Sequence, residues 1–248
     1  MIPLQRGDLP PEVESSLHRL TAEVMGSGDR LRTAKLAWKR ESFRRDTYPP
    51  VLECLRTMAH GTDCCMYCGH DLADQIDHFV PVVIDPARTF SWPNHLLACG
   101  PCNTRFKNRL FEVDEAGRPL LIDPTAEDPF RHLHLVLSTG EYLGIDDRGD
   151  YTIATVGLNR EKRPEARRQA MAVTAFAIEK WWSARTDGDR AAVDTAASVV
   201  RGQPFAGVFQ SMLRQAVRAE ADLFFEGVQG RERLLTLLRD PVLRSAFA

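Results

Sequence analysis

CMYCGHDLADQIDHFVPVVIDPARTFSWPNHLLACGPCNTRFK, residues 65–107, decides how this chain is read. It opens on Cys65-Met-Tyr-Cys68 and closes just beyond Cys99-Gly-Pro-Cys102. Two separated Cys-x-x-Cys pairs have the spacing of a tetrahedral thiolate zinc site, because each pair turns two sulfurs toward one point. Four protein ligands leave no open position on the ion, so a zinc held by Cys65, Cys68, Cys99 and Cys102 is structural. Cys64 offers a wider spacing to Cys68 as an alternative first ligand, but the two-residue spacing of Cys65 is the commoner one. His70, beside the first pair, is a weaker substitute for a sulfur ligand.

Between and after the cysteines stand residues of another chemistry. Asp77-His78, Asn94, Asn103 and Lys107 are the types needed to hold a hard cation and activate water on a phosphodiester. A neutral histidine takes a proton from water at cellular pH. An aspartate next to it in a strand points to the opposite face and offers hard oxygen to magnesium or manganese. An asparagine at a helix start adds a second oxygen. Each residue has a plainer role on its own: Asp77-His78 as a hydrogen-bonded turn, Asn94 as a turn residue after Trp92-Pro93, Asn103 as a helix cap. Their joint occurrence inside the cysteine frame favours the catalytic reading.

The string Cys65-x-x-Cys68, Ile76-Asp77-His78-Phe79-Val80-Pro81, Asn94-His95-Leu96-Leu97-Ala98-Cys99-x-x-Cys102-Asn103-x-x-x-Lys107 resembles the HNH endonuclease motif, in its zinc-stapled form with a final asparagine. Membership in that superfamily (the ββα-metal or His-Me finger nucleases) implies His78 as general base and Asn94 as the residue that orients it. It implies Asp77 and Asn103 as ligands of one catalytic divalent cation, Mg2+ or Mn2+, beside the structural Zn2+. Two positions depart from the pattern: His95 stands where leucine is common, and Lys107 lies four residues after Asn103 rather than three. Arg105 and Lys107 are expected beside the scissile phosphate. Leu121-Ile122-Asp123-Pro124-Thr125, Asp128-Pro129 and Gly157-Leu158-Asn159-Arg160 are similar to segments of HNH proteins from bacterial antiphage systems, the Septu type among them. That similarity implies an ABC-like ATPase partner, since this chain has no Gly-x-x-x-x-Gly-Lys-[Ser/Thr] phosphate loop of its own. DNA is the expected substrate, and RNA is the alternative. The competing reading is a zinc-stapled nucleic-acid-binding or assembly subunit that does not cut.

A net charge of −2 over 248 residues does not by itself advertise a nucleic-acid partner. The cations are clustered, however: Arg30, Arg32, Lys35, Lys39, Arg40, Arg44 and Arg45 in one segment, Arg160, Lys162, Arg163, Arg167 and Arg168 in another. The N-terminal stretch shows no signal-peptide pattern, no apolar run reaches a membrane span, and the thiols read as metal ligands rather than disulfides, so the expected compartment is the cytoplasm.

The expected fold class is α+β, mainly helical: a ββα-metal module with its four-cysteine zinc clip, N-terminal helices before it, then a short sheet and a helical C-terminal region. The divisions fall at residues 1–61, 62–111, 112–158 and 159–248. Val13, Leu17, Leu20 and Val24 recur at helical spacing behind Pro10-Pro11. A basic helix is expected from Asp29 to Arg45, and another from Pro49-Pro50 to Gly61. His134–Leu137, Tyr142–Ile145 and Tyr151–Val156 read as short strands. Helices follow from about Arg160, with Trp181-Trp182 buried, and then over 189–200, 204–226 and 230–246.

Overall fold

The computed structural model describes residues 1–247. It is mainly helical with two small antiparallel sheets, which makes it α+β. Helix α1 (Pro11–Met25) starts with proline at its first position, carries Glu12 and Glu14 in its first turn, and buries Val13, Leu17, Leu20 and Val24. Asp29 opens α2 (Arg30–Lys39) by accepting from the Arg32 amide. The basic helix ends sooner than expected: Arg40 turns extended, and a wider helical turn covers Phe43–Thr47 before α3 (Tyr48–Met58).

Strand β1 (Gln75–His78) pairs antiparallel with β2 (His95–Ala98), with Asp77 opposite Leu96 and His78 opposite His95. A helical segment, Pro101–Lys107, follows β2 directly. The Asn108 amide donates to the Asn103 carbonyl, an i→i+5 bond that widens this helix. Residues 75–107 thus run strand, long loop, strand, helix, with a Cys-x-x-Cys turn leading in and another joining β2 to the helix.

Strands β3 (Leu133–Val136) and β4 (Glu141–Gly144) form the second sheet. The strand expected at Tyr151–Val156 is a helix instead: α4 spans Asp147–Val156. Its Tyr-Thr-Ile-Ala-Thr-Val composition favours a strand, but the ends decide otherwise. The Asp146 side chain accepts from the Gly149 amide at one end, and Gly157 takes the left-handed conformation at the other. Gly149, Thr152, Thr155 and Val156 then give α4 a helical buried face.

The C-terminal half is a helical layer. Helix α5 (Arg163–Thr186) packs on α6 (Arg190–Gly202), α7 (Ala206–Gln215) and α9 (Arg231–Arg239); the helices expected over 204–226 and 230–246 are each broken, the first into α7 and the short α8 (Ala221–Phe224), the second at Asp240-Pro241 into α9 and α10 (Pro241–Ala246). Trp181 is buried and Trp182 half-buried. One contiguous apolar core runs from α1 through the strands to α10. Among the described residues no helix is long and apolar enough to cross a membrane.

Candidate functional site

The cysteines converge. The Sγ atoms of Cys65, Cys68, Cys99 and Cys102 all lie within 4.8 Å of one another, and all four residues are buried. Backbone bonds shape the first turn: the Gly69 amide donates to Cys65 O and the Cys65 amide to His70 O, both at 2.8 Å. The Met66 amide donates to Leu97 O at 2.9 Å and ties that turn to β2. The six cysteines are all free thiols, and four buried sulfurs around one point suit a tetrahedral soft-ligand metal such as zinc. Cys64 is buried but stands outside the cluster, and burial raises its thiol to about 11. The His70 ring turns aside to Asp71, with Nδ1 3.1 Å from Oδ1.

His78 ends β1 and lies half-buried beneath the Trp38 indole of α2, ring centroids 4.3 Å apart. Its Nε2 donates to the Thr89 carbonyl at 3.0 Å. A carbonyl only accepts, so the proton resides on Nε2 and Nδ1 keeps the lone pair. His95 sits across the ladder and donates to the same oxygen at 2.9 Å, leaving its own buried Nδ1 without a partner. Burial first, and then the neighbouring His95, lower the His78 pKa to about 3. Burial likewise takes His95 down to about 4. Both rings are therefore neutral at cellular pH.

Asn94 makes no hydrogen bond to His78. Its Oδ1 accepts from the Val80 amide at 2.7 Å, and its Nδ2 donates to Val80 O and Arg88 O, both at 3.1 Å. These bonds clamp both ends of the long loop between the strands, and the second end carries Thr89. Asn94 therefore acts on His78 at one remove, by holding the backbone that holds the imidazole.

Asp77 is 2% exposed, and both of its oxygens are engaged. The Tyr67 hydroxyl donates to Oδ2 at 2.6 Å, and Lys107 Nζ donates to Oδ1 at 3.0 Å. Burial pushes the Asp77 carboxyl upward, opposed by Lys107 and by Tyr67. Lys107, expected at a phosphate, points inward instead. Its side chain is wholly buried, and a second bond at 2.7 Å goes to the His78 carbonyl. The widened helix explains this reach. More residues per turn bring position 107 nearly over position 103, so a spacing of four does what three does on a tighter helix.

Asn103 is on the same helix, but its Nδ2 donates to Gln75 Oε1 at 3.1 Å. Arg105 is exposed and pairs with Glu161 at 3.0 Å. A cavity of about 270 Å³ is lined by Phe79, Arg88, Asn94, Glu127 and Arg148, but by neither Asp77 nor His78. His132 serves structure, bridging Asp146 at 2.6 Å and Glu127 at 3.1 Å.

Four partners of the site escaped the motif: Trp38, Tyr67, Thr89 and Arg160, whose guanidinium lies against the cysteine sulfurs. Thr89 contributes a carbonyl, which every residue has, so no side-chain pattern could have singled it out. Tyr67 lies inside the first Cys-x-x-Cys turn, where a buried hydroxyl needs a partner. Arg160 carried the clearest signal, as the last residue of the Gly157–Arg160 string. No family model, curated protein or solved structure matches this chain.

Proposed function

We propose that this protein is an endonuclease of the HNH type that hydrolyses phosphodiester bonds in DNA. The observation that carries the reading is His78. Its Nε2 is fixed on a backbone carbonyl, its Nδ1 lone pair is left over, and it is built onto a strand pair flanked by the two Cys-x-x-Cys turns of the four-cysteine cluster. In this reading Nδ1 accepts the proton of the attacking water. A pKa near 3 keeps the ring in the accepting form, and an approaching phosphate anion raises its basicity as the proton arrives. Trp38 and Thr89 keep the ring from turning, and Asn94 keeps Thr89 in place. Cys65, Cys68, Cys99 and Cys102 would hold zinc, which when bound cross-links the turn before β1 to the helix after β2. The similarity to Septu-type proteins extends the proposal to an effector role in antiphage defence beside an ABC-like ATPase.

The hard cation fits less well. Asp77 has no free oxygen, and an ammonium already supplies positive charge at Oδ1. Mg2+ or Mn2+ at Asp77 would require Lys107 to turn away from Oδ1, whereas Asn103 donates to Gln75 from Nδ2 and keeps its own Oδ1 for a cation. This closed carboxylate favours a second reading, a nucleic-acid-binding or assembly subunit without cleavage. One assay separates the two: plasmid DNA incubated with protein in chelator, in Mg2+ and in Mn2+, with His78→Ala alongside. The nuclease reading expects cleavage that falls about 10²–10⁴-fold in the variant while DNA binding persists. Binding without cleavage in every buffer, or a His78→Ala protein as active as the wild type, overturns it.

A further inference from the structure

Arg160 is built against the cysteine cluster. Its Nη1 lies 3.4 Å from Cys102 Sγ, and its Nη2 lies 3.7 Å from Cys68 Sγ and 3.6 Å from Cys99 Sγ. The same Nη1 donates to Val156 O at 2.9 Å and Gly157 O at 2.8 Å. One planar guanidinium thus spans three of the four sulfurs and the last carbonyls of α4. The surrounding string puts it there. Gly157 is left-handed, and a Cβ on it would come within 2.6 Å of the Phe106 ring, so only glycine lets the end of α4 approach the helix that carries Cys102. Leu158 is fully buried, and its carbonyl accepts from Arg167. Asn159 clamps β4 through both backbone groups of Tyr142, at 2.8 Å each. With three residues anchored, the fourth has one direction left.

A divalent ion held by four thiolates leaves a net charge of two minus in a buried place, which is costly unless something positive stands close. Arginine suits this better than lysine. It stays charged, and its flat fork meets several acceptors at once, whereas an ammonium acts as a point. We propose that Arg160 is the charge-compensating partner of the metal-loaded cysteine cluster: its N–H groups donate to Cys68, Cys99 and Cys102, retain the metal and damp the reactivity of those thiolates. It is a positioning residue and not a ligand. The inference rests on the cysteines holding a metal and is independent of the nuclease reading.

The test compares Arg160→Met and Arg160→Lys with the wild type, first for zinc content and then for the rate of zinc transfer to a coloured chelator. Losing an outer hydrogen-bond partner of a metal ligand typically costs 10–100-fold in metal affinity, and Arg160→Met is expected in that range, with Arg160→Lys between it and the wild type. A second measurement excludes a merely structural brace. In cobalt-substituted protein the thiolate-to-metal charge-transfer band should move to lower energy in both variants, because unbonded sulfur lone pairs lie higher. An unmoved band and unchanged zinc transfer in a folded Arg160→Lys protein overturn the proposal. Wild-type protein without zinc would overturn the metal reading and this inference together, leaving the DNA-cleavage assay to be judged by itself.

Discussion

Two corners of the same strand pair treat their polar groups in opposite ways. At the cysteine corner four sulfurs face one another, with the Arg160 guanidinium set against three of them. At the carboxylate corner Asp77 is already satisfied, by Tyr67 on one oxygen and Lys107 on the other. The first corner is a ligand set of the kind that a metal completes. The second is finished by the protein. Soft and hard ligand sets in one small frame can thus differ in who supplies the positive charge, and that difference is open to experiment.

The largest effect is expected at the cysteine corner. Cys102 lies at the start of the Pro101–Lys107 helix, and Cys102→Ser removes one of the four sulfurs of a site where metal binding would also supply folding free energy. The module should unfold or the protein become insoluble, read by circular dichroism and by zinc content after mild chelation. A folded, zinc-free Cys102→Ser protein with wild-type thermal stability would show that the cysteine corner closes without metal, and the contrast would vanish.

Lys107→Met attacks the finished corner. It strands a buried carboxylate that keeps the Tyr67 hydroxyl but loses its cation, and breaking a buried pair from one side typically costs about 3–5 kcal/mol. Denaturant unfolding should show a loss of that order, and adding Asp77→Asn to it should recover part. A loss below about 1 kcal/mol would mean that Asp77 is protonated when paired, so that no ion pair exists to break.

How far the chain can be read from its sequence follows the same division. Cys65 is preferred to Cys64 on spacing alone, because two residues between thiols fix the geometry of a turn whatever surrounds it. Helices α1 and α3 are readable from their prolines and from apolar spacing. The environment of Asp77 is not, because it depends on the i→i+5 winding of a distant helix and on a tyrosine in the first cysteine turn. Tyr151–Val156 misleads for a related reason. Local composition speaks for a strand, while the cap at Asp146, the left-handed Gly157 and the packing on Phe106 lie outside the window being judged. Arg40, which ends α2 early, gives no local signal; its guanidinium pairs with Glu23 of α1.

The histidine pair separates the corners by pH. His95 has a folded-state pKa of about 4 against 6.5 in an exposed chain, because burial penalises its charge. A lowered pKa stabilises the fold above about pH 6.5, and that contribution disappears as pH falls toward 4, at roughly 1.4 kcal/mol per pH unit. His78 adds to the loss in the same direction, whereas the raised Asp77 carboxyl opposes it at lower pH. His95→Leu should therefore flatten the acid side of the stability curve while His78 keeps its bond to Thr89. An unchanged slope between pH 6.5 and 4 would show that His95 is not buried in its neutral form.

The smallest expected effect concerns the outer face of α2, whose inner face sets Trp38 on His78. Arg32, Lys35 and Lys39 are exposed and share one face of this helix by their spacing, whereas Arg40 and Arg45 pair with Glu23 and Asp46. In a chain of net charge −2 a polyanion has to be held by such local groups. Changing Arg32, Lys35 and Lys39 together to glutamate should weaken binding alike for all DNA sequences. The salt dependence of affinity should become shallower by about 0.9 for each phosphate the protein no longer neutralises on duplex DNA. Because none of the three touches either corner, zinc content and thermal stability should stay near wild type. If DNA binding is unchanged and a copurifying protein is lost instead, the stripe docks an acidic partner. If neither changes, the stripe is a solvated helix face, and the phosphate contacts of the proposed nuclease have to be sought nearer His78.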